Sequence, residues 1–395
     1  MDVGDRGVSD SSTMATMSFA AQPAQPPPAT APAYHPWIDV LRAVCFLLVF
    51  VNHFGIHFRL WYFKGLGSAG VAVFFAISGW LITKIVLRTV AEADFLRVFY
   101  SRRMLRIFPA YFLTLALYVV AAPLAGERMG VFLRQVPALA TFNAGLLGAG
   151  GGLFAHAWSL AVEERFYLIW PALCLLCRRF KVPLALPLLA GLLFASESVF
   201  ALPQPVDPRW APVLPASIIY GCLLALVGDR ASVDQAPRRP GWTYAVVAAA
   251  SLVGLLGVGH LRSSVFDPVA SLFTVPLVFV AATAPHTLPR LARPWAKLGA
   301  LSYPAYLLHM LVLYGVKAAL DVAHVPSSWP VVAVVLPASL LAVALVSKIV
   351  ARWVEAPCLA MRTRLPRHPR WTTALAAVQF GLVPAGLTYL LLIRD

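Results

Sequence analysis

The chain has 395 residues, 60% of them hydrophobic and 12% charged, with a mean hydropathy of +0.76 and a formal charge of +15. A soluble domain carries about a quarter charged residues, so a water-soluble globular protein is excluded and a polytopic membrane protein is indicated. The positive charge does not indicate nucleic acid, because Lys and Arg are dispersed among apolar blocks instead of gathering on one face; cytoplasmic-loop arginines that fix topology explain it better.

Residues 1–36, with Ala-Ala-Gln-Pro-Ala-Gln-Pro-Pro-Pro, are too rich in Pro and Ala to build a core and read as a disordered tail. They lack the basic and short apolar regions of a signal peptide, so the first hydrophobic helix is expected to act as an uncleaved signal anchor. Windows able to cross about 30 Å of hydrocarbon follow. They lie at 38–57, 69–87, 107–123, 160–177, 182–200, 213–228, 242–260, 268–284, 299–317, 330–350 and 372–392, which predicts an all-α, polytopic transmembrane helix bundle.

The first window holds Asp39, Arg42 and His53. Arg42 and His53 are eleven positions apart; eleven helical steps of about 100° make roughly three turns, so both fall on one face, about 16 Å apart along the axis. In the second window Ser78-Gly79 reads as a close helix contact ahead of an oxyanion site. Arg97, Arg102, Arg103 and Arg106 lead into the third, beside Pro109. The weakly apolar stretch 131–152 ends in Gly-Ala-Gly-Gly-Gly, which weakens a spanning helix and suggests a re-entrant or interfacial piece.

The fourth window opens on His156-Ala-Trp-Ser-Leu-Ala-Val-Glu163-Glu164-Arg165 and closes on Cys174-x-x-Cys177. The cysteine pair has the spacing of half a zinc site without a second pair, so small buried side chains are expected and no metal. The ninth window carries Tyr303, Tyr306 and His309. With the N-terminus in the cytoplasm, most of the 32 basic residues fall on or towards that side, and the C-terminus then lies outside.

Ionisable groups inside apolar spans are costly and are functional candidates by default. His53 can be neutral near pH 7 and can take a proton from a hydroxyl, as a general base in acyl transfer must. Glu163 can orient that imidazole or stabilise its cation, and a buried guanidinium such as Arg42 can hold a carbonyl or phosphate oxygen. Plain structural roles stand beside these: an interhelical hydrogen bond for His53, snorkelling for Arg42.

Arg42-x10-His53, Gly70-Val-Ala-Val-Phe-Phe-Ala-Ile-Ser-Gly-Trp-Leu-Ile, Tyr100-Ser-Arg-Arg-Met-Leu-Arg-Ile-Phe-Pro109, His156 to Pro171, Leu301-Ser-Tyr-Pro-Ala-Tyr-Leu-Leu-His309 and Val354-Glu-Ala-Pro357 occur in this order. Over about residues 34–360 the chain thereby resembles the acyltransferase 3 family of integral membrane O-acyltransferases acting on glycans and related acceptors. The resemblance implies an acyl-CoA co-substrate, usually acetyl-CoA, with no bound cofactor. It implies a hydroxyl acceptor, usually on a sugar of a surface or secreted glycan, a lipid-linked sugar or a macrolide. It also implies ten core helices, essential Arg42 and His53, and a bacterial plasma-membrane location. Two departures are Arg165, where the family usually has Gln, and the eleventh helix. Relatives with that helix often continue into an esterase-like domain; none is expected after Asp395.

The domain reading is therefore a cytoplasmic tail at 1–36, the acyltransferase domain at 37–360, and a basic loop with the extra helix at 361–395. In the mechanism that follows, Arg102, Arg103 and Arg106 bind the phosphates of acyl-CoA, unless they only set topology. Its pantetheine arm threads the bundle, His53 deprotonates the acceptor hydroxyl or first takes the acyl group itself, and Arg42 steadies the donor. Glu163 orients His53, while His156, Trp158, Tyr303 and His309 line the acceptor path; a polar interhelical network explains Tyr303, Tyr306 and His309 nearly as well. The partners are acyl-CoA, the glycan acceptor and membrane lipids, not nucleic acid. The rival classes are a multi-span transporter or flippase and a non-catalytic acyl-CoA-binding protein.

Overall fold

The computed structural model describes residues 35–63, 65–125, 128–143, 153–200, 215–230, 241–258, 263–285, 287–326, 328–363 and 369–392. The N-terminal tail, Gly148 to Gly152 and the segment from Asp207 to Trp210 lie outside the described residues. Helices form at every predicted window: α1 (Pro36–His57), α2 (Leu66–Thr89), α3 (Phe95–Ala121), α4 (Arg128–Ala140), α5 (Ala157–Arg179), α6 (Ala185–Phe200) and α7 (Ala216–Arg230). They continue with α8 (Gly241–Val258), α9 (Ser263–Thr283), α10 (Arg293–Ala300), α11 (Ser302–Val322), α12 (Trp329–Val350), α13 (Ala356–Ala360) and α14 (Pro369–Leu392). No strand occurs among the described residues.

Six helical stretches among the described residues are long and apolar enough to cross a membrane: Pro36–His57, Leu66–Thr89, Phe95–Leu124, Gly241–Val258, Ser302–Val322 and Trp329–Ala360. Their outward faces carry bare aliphatic side chains such as Val253, Leu341 and Ile349, and exposed Trp242, Trp329 and Trp371 stand at helix starts, where amphipathic indoles anchor to an interface. The stretch 131–152 begins as the short helix α4, tied to α3 where the Tyr111 hydroxyl donates to the Leu139 carbonyl at 2.7 Å.

Because lipid is as apolar as Leu, helix association in a bilayer rests on close packing of small residues. Gly79 on α2 and Gly221 on α7 do this reciprocally: a Cβ on Gly79 would run into the Ile218 carbonyl, and one on Gly221 into that of Ala76. At this turn Gly79 makes the expected helix contact while Ser78 points elsewhere. Gly299 brings α10 onto the Asp39 backbone of α1 in the same way.

Cross-helix hydrogen bonds fix the relative sense of the helices. Trp170 Nε1 donates to Thr83 Oγ1 at 2.9 Å and Phe75 meets Trp158 edge-on at 6.0 Å, so α2 and α5 run the same way. The Tyr303 hydroxyl donates to the Ile107 carbonyl at 2.7 Å, beside Pro109, while Tyr118 further along α3 reaches His156. The helices α1, α3 and α11 thus run in the opposite sense to α5. After α12 the chain makes one π-helical turn, Ala351–Glu355, which turns Glu355 inward to 4% exposure. Such insertions are common at functional sites.

Candidate active site

Two polar layers lie inside the bundle. In the first, three imidazoles meet: His53 from α1, His309 from α11 and His156 at the start of α5, with ring centroids 5.0 Å (His53–His309), 4.8 Å (His156–His309) and 6.2 Å (His53–His156) apart. His309 is fully buried and His156 4% exposed, whereas His53 is half-buried. Phe46, Phe154, Tyr118 and Tyr306 pack their rings around the cluster. The Tyr306 hydroxyl and Ser159 Oγ, 2.6 Å apart, both stand 3.2 Å from the His156 carbonyl.

The hydrogen bonds decide the tautomers. His309 Nδ1 is 2.7 Å from the Tyr306 carbonyl, which can only accept, so the proton sits on Nδ1 and the Nε2 of neutral His309 is an acceptor. His53 Nδ1 lies 2.9 Å from that Nε2 and must therefore donate. Neutral His53 is left with an unprotonated Nε2. His156 Nε2 faces the Leu307 carbonyl at 3.4 Å, which leaves its Nδ1 as a buried acceptor with no protein partner. Among the described residues no group of His, Cys, Asp or Glu is arranged to hold a metal ion. Cys174 and Cys177 are buried free thiols.

Seven residues along α5 from His156, about 10 Å, lies the charged layer. Glu163 accepts from Ser78 Oγ at 2.6 Å, and the Tyr167 hydroxyl is 3.2 Å from both Ser78 Oγ and Glu163 Oε2. Arg42 pairs with Asp39 one turn earlier at 3.3 Å and keeps 23% of its side-chain surface accessible. Its electrostatic neighbours are Arg106, Asp39, Glu163 and Tyr167. Arg103 extends between the rings of Phe99 and Tyr167, 5.6 and 5.5 Å from their centres. Arg106 Nη1 faces Glu355 Oε2 at 3.9 Å. At the rim, partial burial and the nearby Arg103, Arg102 and Arg106 push the Arg362 guanidinium down to about 10.

The structure thus gathers His53, His156 and His309 in one layer and Arg42, Glu163, Arg103 and Arg106 in the other. Arg102 is exposed, and Trp158, 43% exposed, lies against Phe75 outside the ring cluster. The Tyr303 hydroxyl is taken up by Ile107 near the charged layer. The hydrogen-bond partner of His53 is His309, not Glu163, because the start of α5 brings His156 to the histidines and carries Glu163 two turns further on. Tyr167 and Ser159 stand in the sequence without an assigned role, and Glu355 enters it only as part of the Val354-Glu-Ala-Pro357 motif. Tyr167 was findable, being one turn after Glu163 on the same face.

A family model described as an acyltransferase domain, that of acyltransferase 3, matches residues 35–348. The chain belongs to the acyltransferase 3 family. Among its relatives are peptidoglycan O-acetyltransferase OatA of Listeria monocytogenes, 28% identical over 331 residues (75% of this chain, 52% of that protein), and nodulation protein 10 of Rhizobium leguminosarum bv. viciae, 29% identical over 335 residues (77% and 86%). O-acetyltransferase OatA of Staphylococcus aureus is 23% identical over 368 residues (82% and 57%). The chain thus spans about half the length of the OatA proteins it matches. No solved structure matches it. Family membership and the six apolar helices make it an integral membrane protein.

Proposed function

We propose that the chain is an O-acyltransferase that moves an acyl group, typically acetyl, from cytoplasmic acyl-CoA to a hydroxyl of a sugar-containing acceptor of the cell envelope. The hydrogen-bonded chain from the Tyr306 carbonyl through His309 to His53 carries this reading, since it prepares one imidazole nitrogen as a base in the interior of the bundle. The names of the OatA relatives support O-acetylation of a glycan. The dispersed basic residues support a cytoplasmic N-terminus. The family membership supports a bacterial plasma-membrane location, with the tail at 1–36, a catalytic domain of ten core helices at 37–360 and the further helix after it.

In this mechanism Arg103 and Arg106 take the phosphates of CoA at the inner end, and Arg42, held near Glu163, steadies the pantetheine arm as it threads from the charged layer to the histidines. His53 Nε2 removes the acceptor hydroxyl proton as that oxygen attacks the thioester carbonyl. The C–O bond forms, the C–S bond of the tetrahedral intermediate breaks, and the CoA sulfur leaves with the proton held by His53. Nδ1 keeps its hydrogen bond to His309 throughout, so the imidazolium forms without reorientation. The free Nδ1 of His156 receives a second hydroxyl of the acceptor. The direct test is purified protein in lipid with acyl-labelled acyl-CoA and a glycan oligosaccharide. Thiol release that depends on the acceptor, with label on the acceptor, is expected; a transporter or a mere acyl-CoA binder releases none.

A further inference from the structure

We infer that α14, which lies beyond the part of the chain matched by the family, is built into the site, and that Gln379 is the positioning residue through which it acts. Gln379 Nε2 donates to Glu164 Oε2 at 3.0 Å, with both residues 3% exposed. The inference rests on the charged layer as the place where the donor is held.

The face of α14 turned inward carries two buried polar residues, Thr372 and Gln379, beside Leu375 and Ala376. Thr372 is buried and its carbonyl accepts from Ser101 Oγ at 3.2 Å, next to Arg102 and Arg103, while Phe380 packs edge-on to Tyr100 at 4.7 Å. Trp371 and Val378 face outward. A helix that only anchors the chain needs no amide at mid-span, where an unmatched polar group is costly. Here the amide fixes Glu164, whose electrostatic neighbours are Glu163, Arg103, Tyr111, Tyr167 and Tyr303. Adjacent carboxylates on one helix repel across a low dielectric. An N–H directed at Glu164 offsets that repulsion and holds the turn of α5 at which Glu163 faces Ser78 and Arg42.

The test uses Gln379→Leu, which keeps the volume and removes the donor, with Val378→Ala on the outward face as control. With full-length protein in nanodiscs at a temperature well below the unfolding midpoint, Gln379→Leu is expected to lower kcat/KM for the donor about tenfold, a loss larger than its modest fall in thermal midpoint accounts for. The exchanged pair Glu164→Gln with Gln379→Glu, which restores an amide–carboxyl bond, is expected to recover most of that loss. Wild-type kcat/KM for the donor in Gln379→Leu, or a loss that disappears once the proportion of folded protein is allowed for, overturns the inference. A second measurement needs no turnover: in acid–base infrared difference spectra, the carboxyl band lost in Glu164→Gln should shift in Gln379→Leu. An unmoved band refutes the inference even if the wild-type protein transfers acyl groups; absence of wild-type transfer refutes the acyltransferase reading instead.

Discussion

A neutral imidazole has one N–H, so a single backbone carbonyl, that of Tyr306, sets the proton positions of two rings in turn. His309 accordingly does for His53 what a buried carboxylate does for the histidine of a hydrolase triad, without adding a charge. Replacing His309 with Ala is expected to lower kcat about 100-fold with the donor KM unchanged. Gln at that position, whose amide oxygen can still accept from Nδ1–H, should retain several-fold more activity, and steady-state kinetics of the two variants distinguish positioning from packing. At Glu163, Ser78→Ala removes the 2.6 Å hydrogen bond and is expected to cost about tenfold in kcat, more than Tyr167→Phe with its 3.2 Å contact. The α1 pair was legible from spacing because helical geometry is local. The His53–His309 bond joins residues 256 positions apart, and no period in a single sequence encodes such a meeting.

Among the elements, the α2–α7 crossing is a tight constraint on the bundle, and it is made by two glycines facing each other's backbone. Gly79→Ala or Gly221→Ala forces backbones apart and is expected to destabilise the detergent-solubilised protein by about 1–3 kcal/mol. Gly257 on α8 has open space around its Cβ position, so Gly257→Ala should be neutral or slightly stabilising; unfolding midpoints compare the three. Hydropathy marks the longer apolar helices, passes over the short α4, α10 and α13, and misplaces some ends. The third window starts at 107, whereas α3 begins at Phe95, because Arg97, Arg102, Arg103 and Arg106 lower the apolar average without interrupting helical hydrogen bonding. The ninth window starts at 299, inside the end of α10, whereas α11 begins at Ser302, because the break at Leu301 is a matter of backbone geometry that apolar Leu298 to Leu301 do not mark.

Across the whole molecule the two layers give the bundle a direction. Arg103 and Arg106 lie at one level and His53 with His156 at the other, and a thioester on a long flexible arm can join them. Replacing Arg103 and Arg106 together is expected to raise the donor KM at least tenfold, whereas Arg102→Ala, at an exposed position, should change it little. Equal effects of the two would return the cluster to a topological role. That Arg42 and His53 stand at two levels of one helix face was readable from their spacing, while the contents of the layers depended on how α3, α5 and α11 pack. The most direct measurement of the central proposal is acyl transfer by His53→Ala protein, folded and inserted in sealed proteoliposomes, with labelled acyl-CoA on the Arg103 side and glycan on the other. The expected result is labelled glycan with the wild-type protein and none with the variant, at equal donor binding; transfer by the variant at the wild-type rate contradicts the assignment of His53 as the base.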